Sequence, residues 1–462
     1  MSTLKKILLC LLAVILVCRI AMGLLAGRLL NAKLADIPGA SVKVGKVNFF
    51  LLAGRVTLRD VEFDLKDSTE SKQHCQGRVE AIKLRRIGWA DLFGGKVSVG
   101  KLKVEKGSVS LESLANSMKL SIGEFSFGFN DIGAKLPEGD VEFNDSLYSV
   151  SIDSLDFLSD DGLSRIQIEH LSTADAGEIQ AQSLHFYNCV PMEAVAEKMG
   201  KVAAMWYDAK LDSLFVGPLS IPKMIDGKRI DIESVKLACS DVVLFQDDRY
   251  PPAVPYPTLQ EGLNAVKMPL KIHNIDAAIK KLTFIWETAP GKRGHVPMYN
   301  MHLALNSVSN APGNVMKCKI HGARKGRCSA ELNLSIKNDK EETTQGTFML
   351  KNLDASTLNT FDGPLFGATA AADIQSIDCS FQGNKDNMKA DCCVLYQNLS
   401  VKVVDSDVAS FLANALLPKA NPAAPGANPK KPSYSFKRDV MQPYPAYLIQ
   451  SIELGMMHTV LF

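Results

Sequence analysis

Apolar and polar residues alternate along most of this chain, and short turns separate the alternating stretches. Gly54–Leu65 (GRVTLRDVEFDL) alternates on both sides of a one-residue slip at Arg59–Asp60, and Lys96–Val104 (KVSVGKLKV) follows the same plan. The apolar positions of these two segments are Val56, Leu58, Val61, Phe63, Leu65, Val97, Val99, Leu102 and Val104. A period of two predicts strands with one apolar face and one polar, solvent-exposed face, and this pattern favours antiparallel pairing.

The same alternation predicts strands through the rest of the chain. A short motif opens three of the early strands, at Gly54–Leu58, Gly95–Val99 and Gly107–Leu111: glycine, any residue, Val, Ser or Thr, and then Leu or Val. Glycine suits such a start because it adopts the positive φ of a turn without steric cost. The further predicted strands are Leu120–Phe129, Ile152–Phe157, Arg165–Leu171, Glu178–Phe186, Ile230–Leu244, Leu270–Trp286, Met301–Ser307, Met316–Ile336, Thr347–Leu350, and a hairpin from Ile374 to Val404 that turns at Gly383–Asn387.

Three stretches depart from this pattern toward helical spacing. Pro191–Asp208 has a Met and Val stripe at helical intervals, and Asp407–Leu417 and Tyr444–Met457 also predict helices around a proline-rich loop at Pro418–Ser433. The stripe consists of Met192, Val195, Met199, Val202 and Met205. So few helices exclude the alternating βα order of doubly wound sheets and TIM barrels. A sandwich, a barrel and a long curved open sheet all remain compatible with the alternation.

The N-terminal segment Ile7–Gly27 predicts a membrane helix. Its 21 residues span about 31 Å as a helix, and twelve of them are Leu, Ile or Val. The anchor positions are Ile7, Leu12, Leu16, Ile20 and Leu24. The alternative is a cleaved signal peptide with a core from Ile7 to Cys18 and a small-residue site near Ala21–Gly23. Under both interpretations, the remainder of the chain is exported across the membrane.

Composition narrows the class of protein and of partner. The chain has 462 residues, of which 46% are apolar, so bulk disorder is excluded. Fifty-two basic and 50 acidic residues give a net charge of +2, which argues against nucleic acid as a partner. We expect an anchor or signal over residues 1–30, β-rich domains over 31–215 and 216–405, and a helical and proline-rich segment over 406–462.

Ten cysteines are few for this length, and no CxxC pair occurs, so neither a disulfide scaffold nor a zinc site is predicted. Cys318 and Cys328 flank a GARKG turn and could face each other across a hairpin, although two thiols are favoured over a bridge. His74 beside Cys75 is the only place where a histidine and a cysteine are adjacent, and two ligands do not make a metal site. No metal and no cofactor is therefore expected.

Catalytic motifs are also lacking. Gly95–Leu102 (GKVSVGKL) has part of a phosphate-loop spacing, but Leu102 replaces the hydroxyl that binds magnesium and no helix follows. Neither HExxH nor GxSxG occurs. The acidic doublets Asp160–Asp161 and Asp247–Asp248 are interpreted as solvated loop carboxylates. The sequence predicts a protein that is not an enzyme, with no catalytic residues.

A resemblance follows from the order of these motifs. The N-terminal anchor, GRVTLRDVEF at Gly54–Phe63 and the glycine-led strands of Val79–Glu112 resemble the opening of AsmA-like envelope proteins. Phe245–Pro251 (FQDDRYP) and Leu282–Glu287 (LTFIWE) resemble the Bacteroidota-type members of that family. The later stretches Tyr396–Val401 and Ser451–Gly455 are similar to motifs of the same group.

The resemblance implies a mainly β fold: an N-terminal transmembrane helix, then a long curved antiparallel sheet that forms an apolar groove, with a few short helices. It also implies a single-pass inner-membrane protein whose bulk lies in the periplasm and which serves outer-membrane maintenance or lipid transport. The expected partners are membrane lipid, phospholipid above all, and envelope proteins.

The apolar face is where this implied function would reside. The groove candidates are Val56, Leu58, Val97, Val99, Leu102, Val104, Val109, Leu111, Phe125 and Phe127. The same residues could instead fill a closed core, because both arrangements require the same alternation. The alternative function is therefore an envelope structural or interaction protein with a closed β core and no lipid.

Overall fold

The computed structural model describes residues 28, 31–32, 40–50, 53–66, 73–88, 96–135, 141–143, 149–173, 177–219, 229–323, 328–354, 368–403, 406–422, 424 and 426–461. The chain forms two compact units: unit 1 is Met1–His185 with Pro218–Pro222, and unit 2 is Phe186–Gly217 with Lys223–Phe462. The predicted anchor with Ile7, Leu12, Leu16, Ile20 and Leu24 lies outside the described residues. Among the helices that are described, none combines the length and the apolarity needed to cross a membrane.

The fold is mainly β, as predicted, and unit 1 is built of consecutive hairpins. Its strands are β1 (Ala40–Phe50), β2 (Arg55–Lys66), β3 (Gln73–Ile87), β4 (Lys96–Ser113), β5 (Lys119–Lys135), β6 (Val141–Phe143), β7 (Ser149–Leu158) and β8 (Ser164–Thr173). Antiparallel ladders join β1 through β5 in chain order, β5 pairs with both β6 and β7, and β7 pairs with β8. Strand β9 (Ile179–Asn188) crosses the boundary between the units along the chain.

The long strands of unit 1 change the phase of their alternation without changing face. Residues three apart in a regular strand point to opposite sides, yet Leu58 and Val61 of β2 join the same apolar cluster. Between them Asp60 has a φ of 53°, in the left-handed region. The slip predicted at Arg59–Asp60 is therefore confirmed. The same three-residue step joins Val44 to Val47 in β1 and Val79 to Ile82 in β3.

These phase changes lie at one level across the sheet. Val44 of β1 is opposite Val61 of β2, which is opposite Val79 of β3. In β4 the register shifts on both sides of Gly107, the residue opposite Val79, and the preceding Lys106 has a φ of 52°. Because neighbouring strands step together, each apolar residue keeps an apolar partner on the next strand.

Unit 2 continues the hairpin plan with one exception. Its strands are β10 (Ala204–Val216), β11 (Ile230–Asp247), β12 (Leu270–Ala289), β13 (Lys292–Ser309), β14 (Val315–Ala323), β15 (Ser329–Lys337), β16 (Thr344–Asp354), β17 (Ala368–Gly383), β18 (Asn387–Val403) and β19 (Ser433–Lys437). Its helices are α1 (Val195–Lys198), α2 (Leu259–Asn264), α3 (Asp407–Leu416) and α4 (Tyr444–Leu461). Within unit 2, the described ladders run from β10 to β19 in chain order and do not join the two ends.

The exception is the pair β11–β12, which is parallel, with Ile230 opposite Leu270 and Asp247 opposite Glu287. The prediction of antiparallel pairing throughout was therefore wrong at this point. The physical reason is the connection: residues 248–269, which include α2, carry the chain back to the start of β11 before β12 begins. A crossover of this length permits parallel pairing, whereas a tight turn does not.

The predicted helix over Pro191–Asp208 is also wrong in extent. A 3₁₀ turn at Met192–Ala194 leads into the four-residue helix α1, and β10 starts at Ala204. Gly200, whose φ is 89°, directs the chain out of the helix, a conformation that glycine adopts without strain. Met205 of the predicted stripe lies on β10 opposite Gln246, because pairing with β11 outweighs the helical spacing.

One disulfide was not predicted, whereas Cys318 and Cys328 are not bridged, as the sequence favoured. Cys379 and Cys392 are directly opposite on β17 and β18, with 4.1 Å between their Cα atoms, and form a disulfide. Cys318 carries a free thiol and lies opposite Leu334, so it does not face Cys328 across the hairpin. Burial raises the pKa of the Cys318 thiol to about 11.

Helix α4 closes the apolar side of unit 2. It packs on β17, β18 and β19, and the core beneath includes Phe381, Met388 and Tyr447. Along α4, the fully buried Ser451 and Thr459 flank the buried Gly455 at intervals of four residues. A Cβ atom at position 455 would lie 2.5 Å from both the Cβ and the Sγ of Cys392. The predicted helices at Asp407–Leu417 and Tyr444–Met457 are confirmed as α3 and α4.

We predict that Gly455→Ala lowers the free energy of unfolding of unit 2 by about 1–3 kcal/mol, since the added methyl group overpacks the contact with β18. The measurement is denaturant unfolding followed by tryptophan fluorescence, to which unit 2 contributes Trp206 and Trp286. The matched control is Gly262→Ala in α2, where the new Cβ meets no atom within 4 Å and improves helix propensity by up to about 1 kcal/mol. Equal effects of the two substitutions would contradict the close approach of α4.

Candidate functional site

The apolar face of unit 1 consists of rows of side chains that cross five strands. One row is Val47, Leu58, Ile82, Val104 and Phe127, each directly opposite the next on β1 to β5. A second row is Val44, Val61, Val79, Gly107 and Phe125. With neighbouring strands about 4.8 Å apart, each row is about 19 Å long. The phase changes described above lie between the two rows, so the side chains of both rows point to the same face of the sheet.

Glycines in this face make room for aromatic rings. A Cβ at Gly77 would lie 2.5 Å from Cζ of Phe63, and one at Gly107 would fall within the ring of Phe125. Each ring therefore lies across the glycine of the adjacent strand and fills the space that a side chain would occupy. Phe125 also stacks on Phe127 with 6.0 Å between the ring centroids. Aromatic surface thus extends over β3, β4 and β5.

Five of the ten predicted groove residues meet in one cluster, namely Leu58, Leu102, Val104, Phe125 and Phe127. Val99, Val109 and Leu111 lie on β4 opposite apolar residues of β5, and the half-buried Val56 lies opposite Leu84. The side chain of Val97 is outside the described part of the structure. The prediction omitted the cluster residues Val42, Val44, Val47, Val61, Phe63, Val79 and Ile82. The alternation of SVKVGKVNFF at 41–50 would have revealed those of β1.

The two units cover their apolar faces differently. In unit 2, α4 packs on β17 to β19, and its side chains join the buried apolar residues of β13 to β19 in one core. In unit 1, the described residues between β1 and β9 include no α-helix. The central valines of unit 1 are buried by their neighbours, whereas Leu102, Phe125 and Phe127 are only half-buried. Aromatic rings are therefore part of the apolar surface that remains accessible in unit 1.

The polar side chains of unit 1 include a charge cluster on β3 and β4. Glu105 accepts from Lys83 at 2.5 Å and from Lys103 at 2.9 Å. These hydrogen bonds, first that of Lys83 and then that of Lys103, lower the pKa of Glu105 to about 2. Glu105 lies next to Lys106, one of the residues with positive φ, so the cluster flanks the phase change of β4.

We predict that Glu105 contributes stability that is present above pH 4.5 and is lost as the pH falls toward 2, because its pKa is lower in the folded chain than in the unfolded one. Glu105→Gln should remove about 1 kcal/mol at neutral pH and flatten this part of the stability profile. Thermal unfolding between pH 2 and 7 measures both effects. Glu80→Gln is the control, because Glu80 is exposed and 3.7 Å from Lys106. An unchanged acid slope in Glu105→Gln would contradict the prediction.

In unit 2 the motif residues Phe245–Pro251 and Leu282–Glu287 build buried ion pairs. Arg249 binds both carboxylate oxygens of the fully buried Asp247, at 2.8 and 2.6 Å. Arg293 donates twice to Glu287, at 3.0 and 2.6 Å. The hydrogen bonds that Arg249 donates to Asp247 raise the pKa of Arg249, so its charge is permanent. Two arginines thereby neutralise two carboxylates at the ends of adjacent strands.

This arrangement corrects one prediction and explains a motif. Asp247 is not a solvated loop carboxylate, and Asp248 accepts from Gln246 at 2.7 Å and from the Trp286 indole at 2.8 Å. Asp161, by contrast, is an exposed turn residue, as predicted, and accepts from the backbone of Leu163. The Asp-Asp-Arg segment at 247–249 and the Trp-Glu pair at 286–287 therefore hold the ends of β11 and β12 together.

We predict that Arg249→Gln lowers the free energy of unfolding of unit 2 by about 3–5 kcal/mol, because it leaves the buried charge of Asp247 uncompensated. Lys280→Gln is the control, since the Lys280–Asp212 pair is also 2.6 Å long but exposed, and its loss should cost much less than that of Arg249. Urea unfolding of both variants provides the comparison. Similar losses in the two variants would contradict the structural role given to Asp247.

Unit 2 also has a cleft of about 720 Å³, lined mostly by polar residues together with Cys318, Leu334 and Phe381. Strands β13 to β18 contribute Asn306, Lys317, Lys319, Asn333, Gln345, Gln382 and Lys389. The hydroxyl, amide and ammonium groups along it make such a cleft less suited to an acyl chain than an uninterrupted apolar face. No group of three or more His, Cys, Asp or Glu residues in the described ranges is arranged to hold a metal ion. His74 instead contacts Asp64 at 3.0 Å and Glu112 at 3.6 Å through its two ring nitrogens.

Comparison with known proteins found no family model that matches the chain and no matching curated protein. The AsmA-like resemblance therefore stays a prediction based on the motifs themselves.

Proposed function

We propose that this is an inner-membrane-anchored periplasmic protein of the AsmA-like type that serves the maintenance of the outer membrane. In this proposal it holds or transfers phospholipid on a curved sheet, with the acyl chains against the apolar face of unit 1. The observation that carries the proposal is the pair of cross-strand rows that end in Phe125 and Phe127. They offer a broad apolar surface and no reactive group among them.

The energetics favour such a ligand without any reaction chemistry. A 16-carbon acyl chain in water costs about 12 kcal/mol at about 0.8 kcal/mol per methylene. Contact with the half-buried Leu102, Phe125 and Phe127 would remove part of this cost and would also cover apolar protein surface. The polar cleft of unit 2 offers no comparable gain.

A second candidate is an envelope structural or interaction protein with a closed β core. The observation that favours it is the sealed core of unit 2, where α4 covers the same kind of alternating surface. Both candidates share the exported location, and the presence of bound lipid distinguishes them.

We predict that phospholipid co-purifies with the full chain and that Phe127→Asp reduces the amount per protein at least threefold, because a carboxylate disfavours acyl chains at the face. Leu114→Asp is the matched control: Leu114 is 69% exposed, belongs to unit 1 and lies outside the rows. Mass spectrometry of lipid extracts gives the ratio, and both variants keep residues 1–30, so lipid held by that segment is the same in each.

The milder Phe127→Ser serves if the charged variant fails to fold, as judged by circular dichroism and elution volume. An equal lipid content in wild type, Phe127→Asp and Leu114→Asp would reject the proposed face and leave the closed-core candidate.

A further inference from the structure

Helix α3 is attached to the protein through its polar side. Asn414 accepts from the backbone N–H of Val401 at 2.9 Å and donates to its carbonyl at 2.6 Å. Ser410 accepts from the N–H of Val403 at 2.8 Å. Ser406, one turn earlier, caps the helix by accepting from Ala409. Ser410 and Asn414, four residues apart, therefore bind the helix to the backbone of β18.

This attachment protects the edge of a strand. The ladder of β19 covers only Asn387–Asp391 of β18. Beyond this ladder, Tyr396 of β18 pairs with Asn421, and the backbone N–H of Leu399 donates to the carbonyl of Lys419. From Val401 onward, the side chains of α3 bond to the strand. Covering an exposed edge prevents pairing with other chains. Edge protection explains why the polar side of α3 faces the protein.

Edge protection does not explain the other side of the helix. Val408, Phe411, Leu412 and Leu416 are 53–81% exposed, and no residue of α3 is buried. Their spacing of three, four and eight residues from Val408 places them on one helix face. Scattered exposed apolar residues are ordinary, but a contiguous stripe of large ones marks an interaction surface.

Exposed lysines accompany this stripe. Lys419 follows the helix, and its Nζ is 3.3 Å from Oδ1 of Asn414. Lys402, Lys430 and Lys431 are also exposed, and the backbone N–H of Lys430 donates to Asn421, which fixes the loop beside β18. Asp407 is the sole acidic residue of α3. An apolar helix face with neighbouring lysines matches the chemistry of an anionic bilayer surface.

We propose that α3 is an interfacial helix that lays Val408, Phe411, Leu412 and Leu416 into the surface of a bilayer containing anionic phospholipid. The charge around the helix favours this occupant over a second copy of the chain, whose α3 segment would bring the same lysines. The proposal does not rest on the lipid-holding face, since α3 belongs to unit 2 and its contact is with a membrane surface.

The test uses the full chain reconstituted into vesicles of phosphatidylethanolamine and phosphatidylglycerol, with and without bromine on the acyl chains. Phe411→Trp is compared with Val254→Trp, a position in the same unit that is 67% exposed and lies outside α3. The emission of the wild type, which has three tryptophans, is subtracted. We expect Trp emission at position 411 to fall at least twofold in brominated vesicles, and emission at position 254 to stay unchanged.

Two further arms keep the outcome decisive. Leu412→Asp in the Phe411→Trp background, and replacement of phosphatidylglycerol by phosphatidylcholine, should each restore most of the emission. Because all variants retain residues 1–30, attachment through that segment acts equally on both reporters. Equal quenching at positions 411 and 254 would overturn the proposal. A blue shift of the position-411 emission that depends on protein concentration in lipid-free detergent would also overturn it, in favour of self-association.

Discussion

A strand with one apolar face must keep that face on one side of its sheet for its whole length, and this requirement governs both units. In unit 1 the alternation loses phase within β1, β2 and β3, which would turn half of each apolar set toward water. Residues in the left-handed region, such as Asp60 and Lys106, absorb the extra step. Because the steps lie side by side, cross-strand partners such as Val61 and Val79 stay matched. The continuity of the apolar face depends on this alignment.

The same surface chemistry has two outcomes in one chain. In unit 2 the sequence supplies its own cover, a C-terminal helix whose small residues at Ser451, Gly455 and Thr459 let it approach β18 closely. In unit 1 the described residues place aromatic rings over glycines, and those rings remain partly accessible. The apolar face of unit 1 is therefore the candidate surface for a lipid, whereas in unit 2 the exposed apolar stripe lies on α3.

Much of the fold could be predicted because alternation is a local property. The strands, the slip at Arg59–Asp60 and the two C-terminal helices follow from it directly. The helix predicted from the stripe Met192–Met205 was too long, because short apolar runs fit helical and strand spacing alike. Pairing of β10 with β11 makes the end of this stretch a strand. The Cys379–Cys392 disulfide could have been predicted, since Cys379 lies four residues before the predicted turn at Gly383–Asn387 and Cys392 lies five residues after it. The burial of Asp247 and the exposure of Phe411 could not be predicted from the sequence, because both depend on contacts between distant parts of the chain.

The parallel pair β11–β12 has a consequence for how the chain assembles. Most other strands of unit 2 can add to the growing edge as soon as a short turn closes, so pairing can advance residue by residue from the preceding strand. At β11 that progress stops, because the next partner starts only after residues 248–269 have been made and have returned to the opposite end of the strand. Loop closure over this distance is slower than closing a hairpin. We therefore expect the pairing of β12 with β11 to be a slow step in the folding of unit 2, between its first two strands and the eight that follow.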